Sequence, residues 1–271
     1  MINQNLHRQP VALDSAQHRQ LKLQVPITDW SVAARLNAMF VAAAEFGDAC
    51  REFPIVFVRA GKEADGSDAI APIAVFGLTQ EQNLYLDGGR WRAQYMPAVL
   101  RAYPFCIARI DDERFAVCVD MAFAGDGQSG EPLFDGDGKP AALLQAMSTQ
   151  METLEGEIQR TRAIGKRLLE LDLLREMRFD ATLADGRQHT VDGFLTVDDK
   201  KMNELPEATV VELHRNGMLG LIHLHGVSLG NMRRLLDWHA DRVAADPALA
   251  AGAAANDAVA NGAAVTSPST S

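Results

Sequence analysis

An α+β fold, with mostly antiparallel sheets and one long amphipathic helix, is predicted by three features of the chain. Short apolar runs between residues 54 and 119 follow prolines and are separated by polar, glycine-containing stretches. That pattern belongs to hairpin-linked strands. Leu144, Met147, Met151, Leu154 and Ile158 recur at spacings of three and four, and Leu168, Leu171 and Leu174 continue the stripe. Such a period buries one face of a helix or helix pair. From Val243 the composition turns to Ala, Gly, Ser, Thr and Asn. Such a segment buries too little apolar surface to offset its ordering entropy, so a disordered tail is expected over 243–271.

Taken in order, Leu21-Lys22-Leu23 alternates like a short strand before Pro26, and Thr28 or Asp29 could cap a helix through Trp30–Arg35. Phe40–Cys50 is Ala-rich and reads as helix. Ile55-Val56-Phe57-Val58 and Ile73–Leu78 read as strands about the polar loop 61–67, and Asn83–Asp87 as a third. Trp91–Tyr103 is predicted as a short helix containing Pro97. Residues 105–110 and 115–119 form two more strands, and 124–140 a loop. The stripe then predicts the long helix, with Gly156 and Gly165 as break points. Phe179–Leu183 and Val191–Val197 flank Asp185-Gly186, a hairpin signal. Asp198–Leu205 reads as a turn and short helix, Glu207–Asn216 as helix ended by Gly217, Gly220–Gly226 as a strand, and Asn231–Arg242 as the last helix. One domain over 1–242 accommodates all this, with two lobes, about 1–140 and 141–242, as the other division.

Composition narrows the function. Lys and Arg number 26 against 36 Asp and Glu, a formal charge of −10. A phosphate-tracking nucleic-acid binder needs a clustered basic face, so nucleic acid is not an expected partner. No apolar run reaches the length of a membrane span. Met1–Pro10 has no apolar core of a signal peptide, which makes a cytoplasmic location the expectation.

The motifs are weak. Gly125-Asp126-Gly127-Gln128-Ser129-Gly130 spells a dinucleotide fingerprint, but Glu131-Pro132 follows where a helix should start, so it reads as a loop. Asp135-Gly136-Asp137-Gly138 resembles the start of a calcium loop, but Ala146 stands at the twelfth position, where a bidentate Glu belongs. Cys106 and Cys118 flank Asp111–Arg114. A two-residue turn at Asp112-Glu113 sets Cys118 opposite Ile107, and one residue's change of register sets the thiols face to face. The simpler reading is two small apolar side chains packed in a sheet.

On the predicted strand, His223 and His225 share a face, where both imidazoles could meet one ion or line a pocket. Two ligands alone make no metal site, and buried, hydrogen-bonded histidines are the plainer reading. Arg90, Arg92 and Arg101 surround Trp91, Tyr95 and Tyr103, where an anionic ligand could be met. The plainer reading there is a solvated amphipathic helix. No catalytic constellation and no cofactor site emerges.

The order of several segments resembles the bacterial SapC family. They are Pro54-Ile55-Val56-Phe57, Asn83-Leu84-Tyr85-Leu86-Asp87, the block Tyr95–Phe105, Leu133-Phe134-Asp135, Asp192-Gly193-Phe194 with Leu205, and His223–Leu229. The likeness covers roughly 10–240, and the tyrosine-proline block is its most specific part. The resemblance implies association with a bacterial surface layer and no catalytic residues to carry over, and the leading expectation is a non-enzymatic role through protein contacts. It also implies, for some members, an accessory place beside flavin-dependent halogenase-like proteins. The stripe of the long helix is the surface expected to meet a protein partner. An accessory enzyme or small-ligand-binding protein with a pocket near His223 and His225 is the alternative.

Overall fold

The structure, a computed structural model, describes residues 2–245 except 64, 111–113, 126 and 183–187. The first half runs through β1 (Pro10–Ala12), β2 (Lys22–Leu23), β3 (Ala38–Phe40), α1 (Phe46–Ala49), β4 (Ile55–Lys62) and β5 (Asp68–Val75). β6 (Leu86–Asp87), β7 (Arg90–Trp91), α2 (Ala98–Arg101), β8 (Phe105–Arg109), β9 (Phe115–Asp120), α3 (Met121–Ala124) and β10 (Glu131–Pro132) complete it. The second half holds α4 (Ala142–Glu170), β11 (Leu174–Thr182), β12 (Gln188–Val197), α5 (Asp199–Asn203), α6 (Glu207–Arg215), α7 (Met218–Ser228) and α8 (Met232–Ala245).

The main sheet has the order β11-β12-β4-β5-β3 and is antiparallel throughout. Strands from both sides of residue 140 share it. A second sheet, β1-β9-β8, and the ribbons β10-β2 and β6-β7 are also antiparallel. The predicted α+β class is therefore the observed one. Phe53, Phe76, Tyr85 and Trp91 anchor the largest core cluster, their ring centroids 4.7 to 6.1 Å apart.

Several predicted elements change. Phe40–Cys50 begins as the end of β3, because Ala38–Phe40 pairs with Ile73–Val75, and only short helical turns follow. Trp30–Arg35 is a single 3-10 turn, Ser31–Ala33. Of Trp91–Tyr103 only Ala98–Arg101 is helical. Pro97 sits at its N-cap, where a missing N–H does no harm, and Trp91 lies in β7. The strand expected over Asn83–Asp87 is only Leu86–Asp87. Gly220–Gly226 is helix, not strand. The run is apolar without a period, which does not distinguish a strand from a buried helix. The 185–186 turn and the tail beyond 245 lie outside the described residues.

Helix α4 is one unbroken element of 29 residues, so neither glycine breaks it. It ends at Glu170, ahead of Leu171 and Leu174. Its stripe, including Met151, Leu154, Ile158 and Leu168, is buried within its own fold. Thr161 Oγ1 accepts the Ala43 N–H at 2.9 Å and donates to its own helix at Glu157 O, 2.7 Å away. The two glycines have opposite surroundings. A Cβ at Gly165 would lie 2.4 Å from the Ile70 carbonyl oxygen, while one at Gly156 meets nothing within 4 Å. Gly165→Ala is thus expected to destabilise by about 2 kcal/mol through backbone displacement against β5. Gly156→Ala should stabilise by up to ~1 kcal/mol through helix propensity. Urea unfolding of both variants checks the opposite signs.

Candidate functional site

Helix α7 is the floor of the candidate site. It starts at Gly217, whose φ of 81° ends α6 and turns the chain, a backbone state that glycine adopts without strain. On a helix, residues two apart point about 200° from one another. The shared face expected for His223 and His225 on a strand is therefore lost. His223 is exposed and His225 is 1% exposed.

His225 has a defined structural task. Leu195 pairs with Phe57, a register that sets Val197 opposite Ile55 on β12 and β4. His225 bridges that position. Its Nε2 accepts the Val197 N–H at 3.2 Å, which leaves the proton on Nδ1, and Nδ1 donates to Ile55 O at 2.8 Å. One turn on, Ser228 Oγ accepts the Ile55 N–H at 2.9 Å and donates to His225 O at 2.6 Å. The helix thus completes a ladder with two side chains. Burial pushes the His225 imidazole down to about 4, so it is neutral at ordinary pH. Both ring nitrogens and the serine hydroxyl are engaged by protein groups.

On the same side of the fold, a cleft of about 730 Å³ lies between α5, α6, α7 and the strands β11 and β12. Met177, Leu205, Val210, Leu219 and Ile222 supply its apolar wall. Arg175, Thr196, Asn203 and both histidines are among its polar lining. Arg175 and Thr196 are cross-strand partners, so their side chains share a face of the sheet. Thr196 is 1% exposed, and its Oγ1 makes no hydrogen bond among the described residues. A second cavity, of about 450 Å³, lies between α4 and α6, but its charges are matched: Arg167 meets Glu212 at 2.9 Å and Glu170 at 3.2 Å.

The three candidate arginines have separate neighbours. Arg90 lies 3.6 Å from Asp87. Arg92 lies over the Trp238 ring, 4.1 Å from its centroid, and donates to Leu84 O at 3.3 Å. Arg101 faces the Tyr95 ring at 5.9 Å. Each is placed by an aromatic or acidic neighbour of its own, on a strand, a loop and a one-turn helix in place of the expected amphipathic helix.

Cys106 stands directly opposite Cys118, one residue away from the register of a two-residue turn. The Ile110 N–H bonds Arg114 O at 2.9 Å, which fixes this register. Both thiols are buried and unbridged. Among the described residues no group of three or more His, Cys, Asp or Glu side chains could hold a metal ion. No described helix is long and apolar enough to cross a membrane.

Sequence reading missed two buried carboxylates that organise the tyrosine-proline block. Glu45 Oε1 accepts the Tyr95 hydroxyl and the Ala98 N–H, each at 2.7 Å, and so caps α2 from outside. Asp120 Oδ2 accepts the Tyr103 hydroxyl at 3.0 Å, and its carboxylate also accepts the N–H groups of Arg8, Gln9 and Ala122. The signal available was the pairing of buried-tyrosine hydroxyls with acids, which no local spacing reveals. The sequence model of the SapC family matches residues 13–235. The chain belongs to the SapC family. No curated protein and no solved structure matches it. The match takes in the cleft-forming SapC segment from β11 to α7, and both buried-acid anchors.

Proposed function

We propose that this SapC-family chain is a non-enzymatic binding protein, working at the bacterial surface layer or envelope, and that its cleft takes a small, mostly apolar molecule with one hydrogen-bonding group. The observation that carries this reading is Thr196. A buried hydroxyl without a partner is unfavourable by roughly 1–3 kcal/mol, and a ligand oxygen or N–H at the cleft would supply the missing bond. An apolar wall with a few converging polar groups is what small-molecule sites provide. An accessory enzyme, with or without a flavin-dependent halogenase-like partner, has less support, because His225 and Ser228 are committed to backbone groups. Partner contact through α4 loses its motive, since the stripe is spent inside the fold. Val227, 68% exposed at the cleft, gives protein contact a different footing, as a seat for a partner's apolar side chain.

The reading is tested with the fluorophore 8-anilinonaphthalene-1-sulfonate and its displacement by 1-octanol. Saturable, single-site binding is expected. Val227→Trp at the rim and Thr196→Val inside should each weaken it about fivefold or more. Thr196→Val should also raise stability by about 1 kcal/mol, because an unpartnered hydroxyl is replaced by a methyl of the same shape. Unaltered probe binding in both variants would place the probe elsewhere and defeat the reading.

A further inference from the structure

The paired thiols of the smaller sheet are independent of the cleft. On β8 and β9, Asp120 N–H bonds Pro104 O and Ile110 N–H bonds Arg114 O, each at 2.9 Å. Counting in steps of two from either bond makes Cys106–Cys118 a hydrogen-bonded pair of the antiparallel ladder, with Cα atoms about 5.5 Å apart. That lies inside the range of roughly 4.4–6.8 Å that a disulfide spans. Directly opposite residues project from the same face, so the two sulfurs stand together.

We propose that Cys106 and Cys118 are a redox-active dithiol that closes to an intrachain disulfide on meeting a small hydroperoxide. Their surroundings suit a small oxidant. On the third strand Ala12 stands opposite Cys118, and Ala108 pairs with Ala116 in the next row. Ala12 is exposed and the other two are half-buried, so methyl groups flank the thiols on that side, while Pro104 and the buried Asp120 stand in the row on the other side. Both cysteines are 2% exposed, so a molecule as small as hydrogen peroxide needs less opening to meet a sulfur than a bulky disulfide does. Cys118 Sγ donates to Ala116 O at 3.8 Å, while the facing sulfur and burial push the Cys106 thiol up. Either facing sulfur can take the oxygen while the other resolves it, and the balance is the same with Cys118 first.

The chemistry balances. The Cys118 thiolate attacks one peroxide oxygen, the O–O bond breaks, and the departing hydroxide takes up the proton that Cys118 had lost, leaving water and a Cys118 sulfenic acid. The Cys106 sulfur then attacks the Cys118 sulfur and the S–O bond breaks. The leaving hydroxide carries off the Cys106 proton as a second water. The two thiols have lost two electrons and two protons, and the peroxide has become two waters.

Cys50 is an internal control, since its buried thiol donates only to Gly47 O at 3.6 Å. The folded full chain is treated with stoichiometric hydrogen peroxide, alkylated and mapped without reduction. Cys106 and Cys118 should lose alkylation together, with a mass loss of about 2 Da, a cross-linked 106–118 peptide and full reversal by dithiothreitol. Cys50 should stay alkylatable. In Cys106→Ser, Cys118 should instead gain about 16 Da and be trapped by dimedone. Thiols that persist, oxidise one at a time, or pair with Cys50 or another chain would overturn the proposal, and the wild-type result decides it even where the variant fails to fold.

Discussion

His225→Ala is expected to lower the stability of the fold by about 4 kcal/mol, while His223→Ala, just over half a helical turn away, changes it by less than about 0.5 kcal/mol. The difference follows from what each imidazole touches. Removing His225 strands the Val197 N–H and the Ile55 carbonyl inside the protein, at roughly 1–3 kcal/mol for each unsatisfied group. It also removes the ring that packs against Phe57 at a centroid distance of 5.0 Å, leaving a cavity between α7 and the sheet. Ser228 holds the neighbouring Ile55 N–H, so the loss should spread along β4 and loosen its contact with β12. Urea midpoints for the two single variants give the answer. Equal, small effects would mean that the side-chain bridge adds nothing to the β4–β12 join. His225→Gln, which can keep one of the two bonds, should fall between wild type and alanine.

That bridge also shows why the sequence was only partly readable. The stripe of α4, the β11–β12 pairing and the capping Asp198, whose side chain accepts the Lys200 N–H at 2.9 Å, all depend on neighbours within a few residues or on one period. Local physics is enough for those. The segment 220–226 has no such period, since α7 is apolar on nearly every side, and a strand and a buried helix look alike there. What makes it helical is tertiary: His225 and Ser228, three apart, are on one helical face only, and both are used at Ile55, some 170 residues earlier in the chain. The spacing of three was visible, but its target was not. The pocket expected near His223 and His225 rested on a shared strand face, whereas on α7 both residues line the cleft without sharing a face. Thr196 carried no local signal, as its importance comes from a hydrogen bond that its surroundings do not supply. Glu45 and Asp120 were hidden in the same way, each reaching residues more than 15 positions distant. The Cys106–Cys118 register turned on a single loop residue, which is the smallest error that reverses which side chains meet.

Stability should fall steeply between pH 6.5 and 4, ahead of ordinary carboxylate titration, because two histidines are buried in the neutral form. Burial is the main cause at both, pushing His225 and His7 down to about 4. At His7 the nearby Asp120 carboxylate pulls the other way and does not overcome it. His7 is 3% exposed, its Nδ1 accepts the Asn3 N–H at 3.0 Å, and its ring lies 5.7 Å from that of Tyr103. The sign follows from linkage. In the unfolded chain each histidine takes up a proton near pH 6.5, while in the folded chain it stays neutral until about pH 4. Across that window the unfolded state binds more protons, so each unit of acidification favours unfolding. The stability held above pH 6.5 is therefore lost on acidification down to about pH 4, and little more is lost below it from these groups. A separation of about 2.5 units is worth roughly 3 kcal/mol for each histidine. Urea midpoints at half-unit steps from pH 7.5 to 4 should trace this fall. His7→Gln, which keeps an acceptor for the Asn3 N–H but cannot titrate, should roughly halve the slope and leave the stability at pH 7.5 within about 1 kcal/mol of wild type. A wild-type curve that is flat from pH 6.5 to 4.5 would require both rings to gain protons in the folded protein. Neither ring has a place for a second proton without breaking a hydrogen bond that this fold makes to it.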